Sequence, residues 1–134
     1  MDFVGLRDAL RVNLLTVVDN VQEVFIHPES MAELQSEFPY VTFVFGEGEL
    51  VGRRVEQAVS IIGFVKGDME TIPDQIIELK NKIYNALYNK EPKILIQTQD
   101  LTNLFKPFGL DAGVGPPYGG VRFECTVPGI INKA

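Results

Sequence analysis

The sequence of 134 residues predicts one α+β domain, in which an antiparallel or mixed β-sheet with a long β-hairpin carries two main helices on one face. Two observations predict this fold class. Apolar residues recur at helical spacing near the start of the chain and again after residue 70, and between these segments they alternate with a period of two. The elements follow the order α-β-β-β-α-β-β. Because no repeat, linker or low-complexity stretch interrupts residues 1–134, we expect a single domain.

The first element is an amphipathic helix with apolar residues three and four positions apart. This stripe consists of Phe3, Leu6, Leu10, Leu14 and Val17. Asp2 stands where an N-cap residue belongs. Residues 21–26 (VQEVFI) then predict a short strand, and residues 27–30 (HPES) predict a turn.

A long hairpin follows. Residues 40–45 (YVTFVF) place Val41, Phe43 and Phe45 on one face of a strand and the residues between them on the other. Residues 46–54 (GEGELVGRR) interrupt the alternation and predict an extended tip. Residues 55–65 form the second strand, and since both of its faces are largely apolar, we expect it to be central in the sheet.

The second helix begins after residue 70. Thr71 and Asp74 have the spacing of a capping box, and Pro73 is tolerated in a first turn. The predicted buried stripe is Ile72, Ile76, Leu79, Ile83 and Leu87, widened by Ile77, Tyr84 and Tyr88.

The C-terminal part predicts two more strands. Residues 93–98 (KILIQT) form the first, while residues 100–109 leave a short helical turn open. The last strand covers residues 121–127, with alternate residues pointing inward: Val121, Phe123, Cys125 and Val127. In the connector before it, Pro116 and Pro117 stiffen the chain, and Gly119 and Gly120 turn it into the strand.

No set of residues in the sequence has the types and spacing of a known catalytic or cofactor-binding motif. Residues 46–52 miss the dinucleotide-binding glycine spacing by one residue, and residues 113–120 lack the lysine of a phosphate-binding loop. Both stretches lead into strands, whereas a phosphate cradle needs a helix N-terminus. His27 and Cys125 are the single histidine and cysteine, and we expect a turn residue and a buried apolar side chain rather than metal ligands. We therefore predict no enzyme activity, no cofactor and no metal.

Two loops instead predict partner contacts, with local packing as the alternative. The hairpin tip exposes Leu50 and Val51 between glycines and charges. The later connector exposes a second apolar set: Val114, Pro116, Pro117 and Tyr118. The tip also carries two acids and two bases, which would pair between neighbouring copies and set their register: Glu47, Glu49, Arg53 and Arg54.

Charge and hydropathy restrict the setting. A formal net charge of -6 argues against gripping nucleic acid through a basic patch, but it is compatible with a surface that DNA passes. The start of the chain lacks the pattern of a signal peptide, and no apolar run has the length of a membrane span. We expect a soluble protein that is intracellular where it is made.

Over nearly its whole length the chain resembles the tail terminator (tail-completion) proteins of long-tailed bacteriophages. The resemblance lies in the first helix (FVGLRDALRVNLLTVV), the FP-x-V sequence leading into the long hairpin, the helix after a proline and an acid (TIPDQIIELKNKIYNAL), and the glycine-containing loop before the last strand (DAGVGPPYGGVRFECTV). No one of these motifs is diagnostic, and their order carries the resemblance.

The resemblance implies a structural role with no catalytic residue. Members of the family form a ring, typically a hexamer, that caps the head-proximal end of the tail tube, ends its polymerisation and provides the surface to which the filled head attaches. Its implied partners are copies of itself, the tube protein, a neck or head-completion protein and the sheath protein where the tail has one. DNA is passing cargo, no membrane is involved, and the implied location is the virion, with host cytoplasm during assembly. Another neck ring protein, a stopper or adaptor, and a small ligand-binding α+β module remain alternatives.

Overall fold

The computed structural model describes residues 1–22, 38–68, 70–102 and 118–131. Over these ranges the chain forms two helices and a five-stranded sheet with the strand order β1-β2-β3-β5-β4. The elements in chain order are α1 (Phe3–Leu15), β1 (Asn20–Gln22), β2 (Tyr40–Val51), β3 (Arg54–Lys66), α2 (Ile72–Tyr88), β4 (Thr98–Thr102) and β5 (Tyr118–Ile131). β1 pairs with β2 in parallel, whereas the other neighbours are antiparallel. The predicted α+β class with a mixed sheet and a long hairpin is confirmed.

The first helix begins as predicted. The Asp2 carboxylate accepts a hydrogen bond from the Gly5 backbone N–H at 2.8 Å and so caps the free amides of the first turn. The helix ends at Leu15, and Val17 lies beyond it, half-buried against the core. β1 covers only Asn20–Gln22 of the described chain, and residues 23–30, with the predicted turn and His27, lie outside the described residues.

The core lies between the two helices and one face of the sheet. Leu10 of α1, Ile83 of α2 and Phe123 of β5 belong to one continuous apolar cluster, which also includes Val41, Phe43, Val59 and Ile61 from the hairpin strands. As predicted, β3 is the central strand of the sheet. The face of the sheet away from the helices carries a smaller cluster, in which Tyr40 stacks on Phe64 with ring centroids 4.8 Å apart.

Two glycines let α2 approach the sheet closely. A Cβ atom on Gly63 would lie 2.6 Å from a methyl carbon of Leu79, and one on Gly119 would lie 2.8 Å from methyl carbons of Ile72 and Ile76. The prediction that Gly119 and Gly120 form a turn was wrong, because both are paired in β5, opposite Val65 and Phe64. What glycine provides there is space for the helix.

The second helix departs from its prediction in two ways. Thr71 is the N-cap residue, but its hydroxyl donates to the Asp68 carbonyl oxygen at 3.1 Å and makes no capping bond to the helix, so the capping box does not form. The stripe from Ile72 to Leu87 is buried as predicted, whereas Ile77 is 51% and Tyr84 44% exposed. Each follows a buried residue directly, and one residue rotates the side chain by about 100° around a helix, away from the sheet.

The expected strand at residues 93–98 was wrong over most of its length. β4 begins at Thr98, and residues 93–97 are not in a strand because they carry the chain from the helix layer to the sheet edge. The Pro92 carbonyl oxygen accepts a hydrogen bond from the Asn13 side chain of α1 at 2.8 Å, and the Gln97 N–H donates to Thr126 of β5 at 3.0 Å. Residues 100–102, where a helical turn was left open, belong to β4, and residues 103–109 lie outside the described residues.

Candidate functional site: the hairpin tip

The tip of the β2–β3 hairpin, residues 46–54, is exposed to solvent along its whole length. The sequence predicts that this stretch interrupts the alternation and forms an extended tip, and in the structure the strands run on through it, since β2 continues to Val51 and β3 starts at Arg54. Gly52 and Arg53 alone form the turn, and Gly52 has the positive φ of 65° that a two-residue hairpin connection demands of glycine. The tip is therefore a β-ribbon rather than a loop, and its β3 strand stays paired with β5 as far as Arg54 and Ile131.

A β-bulge separates the tip from the packed part of the hairpin. The pairing register shifts between Phe45 and Gly48 of β2, which leaves an extra residue opposite β3. The buried Gln57 side chain is placed at this bulge and donates hydrogen bonds to the carbonyl oxygens of Gly46 at 2.8 Å and Ala58 at 2.9 Å. The sequence marks Gln57 only as a lone amide on an otherwise apolar strand face, which by itself predicts no role for it.

Among the described residues, one edge of β2 is open beyond Thr42. β1 pairs with β2 only from Tyr40 to Thr42, and from Phe43 to Val51 no described strand lies on the side away from β3. A shallow apolar pocket of about 110 Å³ lies beside this edge, between Arg7 and residues 43–45. An edge strand presents backbone N–H and C=O groups that can pair with another chain.

Leu50 and Val51 are exposed as predicted, at 73% and 52%. Leu50 pairs with Val55, whose side chain is in the core, so Leu50 faces the helix side of the sheet, while Val51 faces the other side. The tip thus presents apolar surface on both of its faces.

The four predicted charges of the tip are all exposed: Glu47, Glu49, Arg53 and Arg54. Within the described part of the chain no ion pair joins them. Arg54 donates instead to the Gly129 carbonyl oxygen of β5 at 3.5 Å. Glu49 lies opposite Glu56 in the hairpin, and like charges in that position repel. The tip therefore carries unpaired charge that a partner can neutralise.

The second predicted contact set is only partly described. Val114, Pro116 and Pro117 lie outside the described residues. Tyr118 does not belong to a connector, because it is the first residue of β5 and pairs with Lys66. The structure does not bring this residue to the hairpin tip, since its partner Lys66 is at the opposite end of β3 from Arg54.

Leu95 was missed as an exposed residue. It is 71% exposed, while its neighbour Ile94 is buried in the core. The alternation of residues 93–97 carried this signal, because a buried Ile94 turns the next side chain outward.

Cys125 is buried beneath α2, and burial raises the pKa of its thiol to about 11. Among the described residues, no group of three or more histidine, cysteine or acidic side chains is placed to hold a metal ion. Neither helix of the described ranges combines the length and the apolar character needed to cross a membrane.

No protein-family model matches the chain, and no curated protein matches it either. Among solved structures it is similar to that of the gp17 protein of bacteriophage SPP1, with 15% sequence identity and a TM-score of 0.45. The alignment covers 92% of this chain and 88% of that one. A likeness at this level of identity and TM-score does not establish a common function.

Proposed function

We propose that the protein is a structural component of a bacteriophage virion and that six copies of it assemble into a ring at the head-proximal end of a tail tube. There it ends tube polymerisation and provides the surface to which the neck or head attaches. The proposal takes its biological setting from the resemblance of the sequence pattern to tail terminators. No step of it requires catalysis, a cofactor or a metal.

The observation that supports the assembly role is the exposed hairpin tip, whose β2 edge has no described neighbour beyond Thr42. Leu50 and Val51 expose apolar surface on both faces of a ribbon whose β2 edge is unpaired from Phe43 onward in the described chain. A small monomer that kept such a ribbon in water would risk indiscriminate pairing with other strands. A closed ring would cover the ribbon in every copy.

The test combines mass measurement with electron microscopy. Six times the chain mass of 14.9 kDa is about 89 kDa, which light scattering after gel filtration resolves from a monomer or a dimer. We expect rings in negative-stain images, either of the protein alone or at one end of isolated tail tubes. A protein that stays monomeric at every concentration and also leaves tube ends bare would refute the proposal. A ring that binds portal or neck assemblies but not tube ends would favour a stopper or adaptor.

A cleft supports the second candidate, a small ligand-binding module. It has a volume of about 400 Å³ and lies between the end of α1, the Phe38–Pro39 segment and Lys82 of α2. Clefts of that size with a few polar groups are typical of small-molecule sites. A thermal-shift screen with nucleotides and metabolites tests it: a rise of several degrees that Lys82→Ala abolishes would favour this function over a ring.

A further inference from the structure

The two most exposed large apolar side chains of the described residues lie at opposite edges of the sheet. Leu50, 73% exposed, is on β2, on one side of the central strand. Leu95, 71% exposed, precedes β4, which ends the strand order on the other side. A head-to-tail contact needs two different surfaces on each copy, and these two edges differ in sequence and in charge.

The β2 edge is acidic. Its open stretch, residues 43–51, contains Glu47 and Glu49 and neither a lysine nor a proline. Glu47 is its midpoint, so antiparallel pairing of two such edges about their centre would place like charges opposite each other. Because like charges in that position repel, symmetric pairing of two β2 edges is disfavoured.

The segment before β4 is basic and is held in place. Residues 93–97 contain the exposed Lys93 and no acid. Hydrogen bonds at both ends tie the segment to the fold, from Asn13 to Pro92 and from Gln97 to Thr126. Ile94 anchors it in the core, so Leu95 is presented on a fixed stretch of backbone. Such a surface loses little conformational freedom on binding.

We propose that the open β2 edge of one copy, residues 43–51, docks on residues 93–97 of a second copy of this chain. Leu50 and Leu95 form the apolar centre of the contact, and the single positive charge of Lys93 offsets one of the two negative charges of Glu47 and Glu49. Each copy keeps one edge of each kind, so the contact repeats around a closed ring. The inference rests on the self-association in the proposed function and not on tube binding.

Cysteine cross-linking tests the contact on the full chain. Leu50→Cys and Leu95→Cys are made separately, mixed at high protein concentration and treated with a short bis-maleimide, which traps a weak contact irreversibly. The native Cys125 is buried, so the unsubstituted chain serves as the blank. Ile77→Cys on α2 is the matched control, since Ile77 is also apolar and 51% exposed but lies away from both edges.

We expect cross-linked dimers from the mixture of Leu50→Cys with Leu95→Cys. Either variant alone, or Leu50→Cys mixed with Ile77→Cys, should give only the background of random collisions. The double variant should give a ladder that stops at the ring size. Leu50→Cys dimers in equal yield, or a mixture no better than its control, would overturn the proposal.

A charge exchange tests the pairing itself. Glu49→Lys on the Leu50→Cys chain, or Lys93→Glu on the Leu95→Cys chain, should each lower the yield roughly two- to fivefold, the range of an exposed ion pair. Mixing the two exchanged chains should restore it, and failure to restore it would overturn the role of the charges. Rings in micrographs without this cross-link would refute the contact and leave the ring. A ladder without binding to tube ends would support the contact and the ring and would refute the role at the tube end.

Discussion

The two ends of the β2–β3 hairpin are built from the same pair of strands but differ in burial. At one end, Val41 and Ile61 lie beneath α1 and α2 and are fully buried. At the other, beyond the bulge at Phe45, residues 46–54 are exposed to solvent, although β3 remains paired with β5 as far as Arg54. Gln57 marks the boundary, where its amide bonds the carbonyl oxygen of Gly46. Folding stability therefore resides in the packed end, and the tip is the part of the hairpin that we propose for association.

The largest effect is expected at the packed end. Ile83→Ala should lower the free energy of unfolding by about 2–5 kcal/mol, because Ile83 is fully buried between α2 and the sheet and its loss leaves a cavity. Ile77→Ala on the same helix should cost less than about 0.5 kcal/mol, because that side chain is half exposed. Urea denaturation of the two variants measures the difference. Equal effects would show that the buried stripe of α2 is misplaced.

The next effect is a pH dependence at the same end. The pKa of Cys125 is raised from 9.0 to about 11 by burial, so the folded state holds its proton where the unfolded state has lost it. Stability that is intact below pH 9 should fall by about 2–3 kcal/mol between pH 9 and pH 11. Cys125→Ala should remove that part of the slope, which urea denaturation at both pH values measures. An unchanged slope would mean that the thiol reaches water in the folded protein.

At the boundary the expected effect is smaller. Gln57→Met keeps the length of the side chain but removes the amide that donates to Gly46 and Ala58. The free energy of unfolding should fall by about 1–3 kcal/mol, because the two carbonyl oxygens lose their hydrogen-bond partner. Hydrogen exchange should quicken at the tip before it quickens in β5. Uniform quickening in both strands would show that the bulge is part of the core.

The sequence predicts the packed end of the hairpin and the exposed tip unequally well. The packed end was predicted well, because burial imposes periodicity: Leu6 to Leu14 in α1 and Val121 to Val127 in β5 lie inward as their spacing requires. The predictions were wrong where the spacing of apolar residues does not show which element a side chain contacts. Ile77 and Tyr84 are apolar but face away from the sheet, and Gly119 spaces a helix rather than a turn.

The candidate site was predicted by composition and not by geometry. Leu50 and Val51 drew attention as apolar residues among glycines and charges, and both are exposed. The continuous strand pairing through residues 48–57 was missed, because glycine and charge are poor strand signals and long-range pairing decides the outcome. Over the described residues the open edge begins where the pairing of β1 with β2 ends, at Thr42, and local sequence does not encode where such a pairing ends.

The smallest effect on folding and the largest on association are expected at the tip. Replacing Leu50 and Val51 together with Asp should change the free energy of unfolding by less than about 1 kcal/mol, because these exposed side chains contribute little to the core. The same change places two more negative charges beside Glu47 and Glu49 and removes the apolar surface, so rings or tube-end binding should be lost. Circular dichroism and light scattering follow the two consequences separately. Val12→Asp on α1, where the side chain is 49% exposed, is the control and should leave association unchanged. If the Leu50/Val51 variant lost its helix and sheet signal, these two side chains would belong to the core, because folding is this sensitive only to substitutions at buried positions.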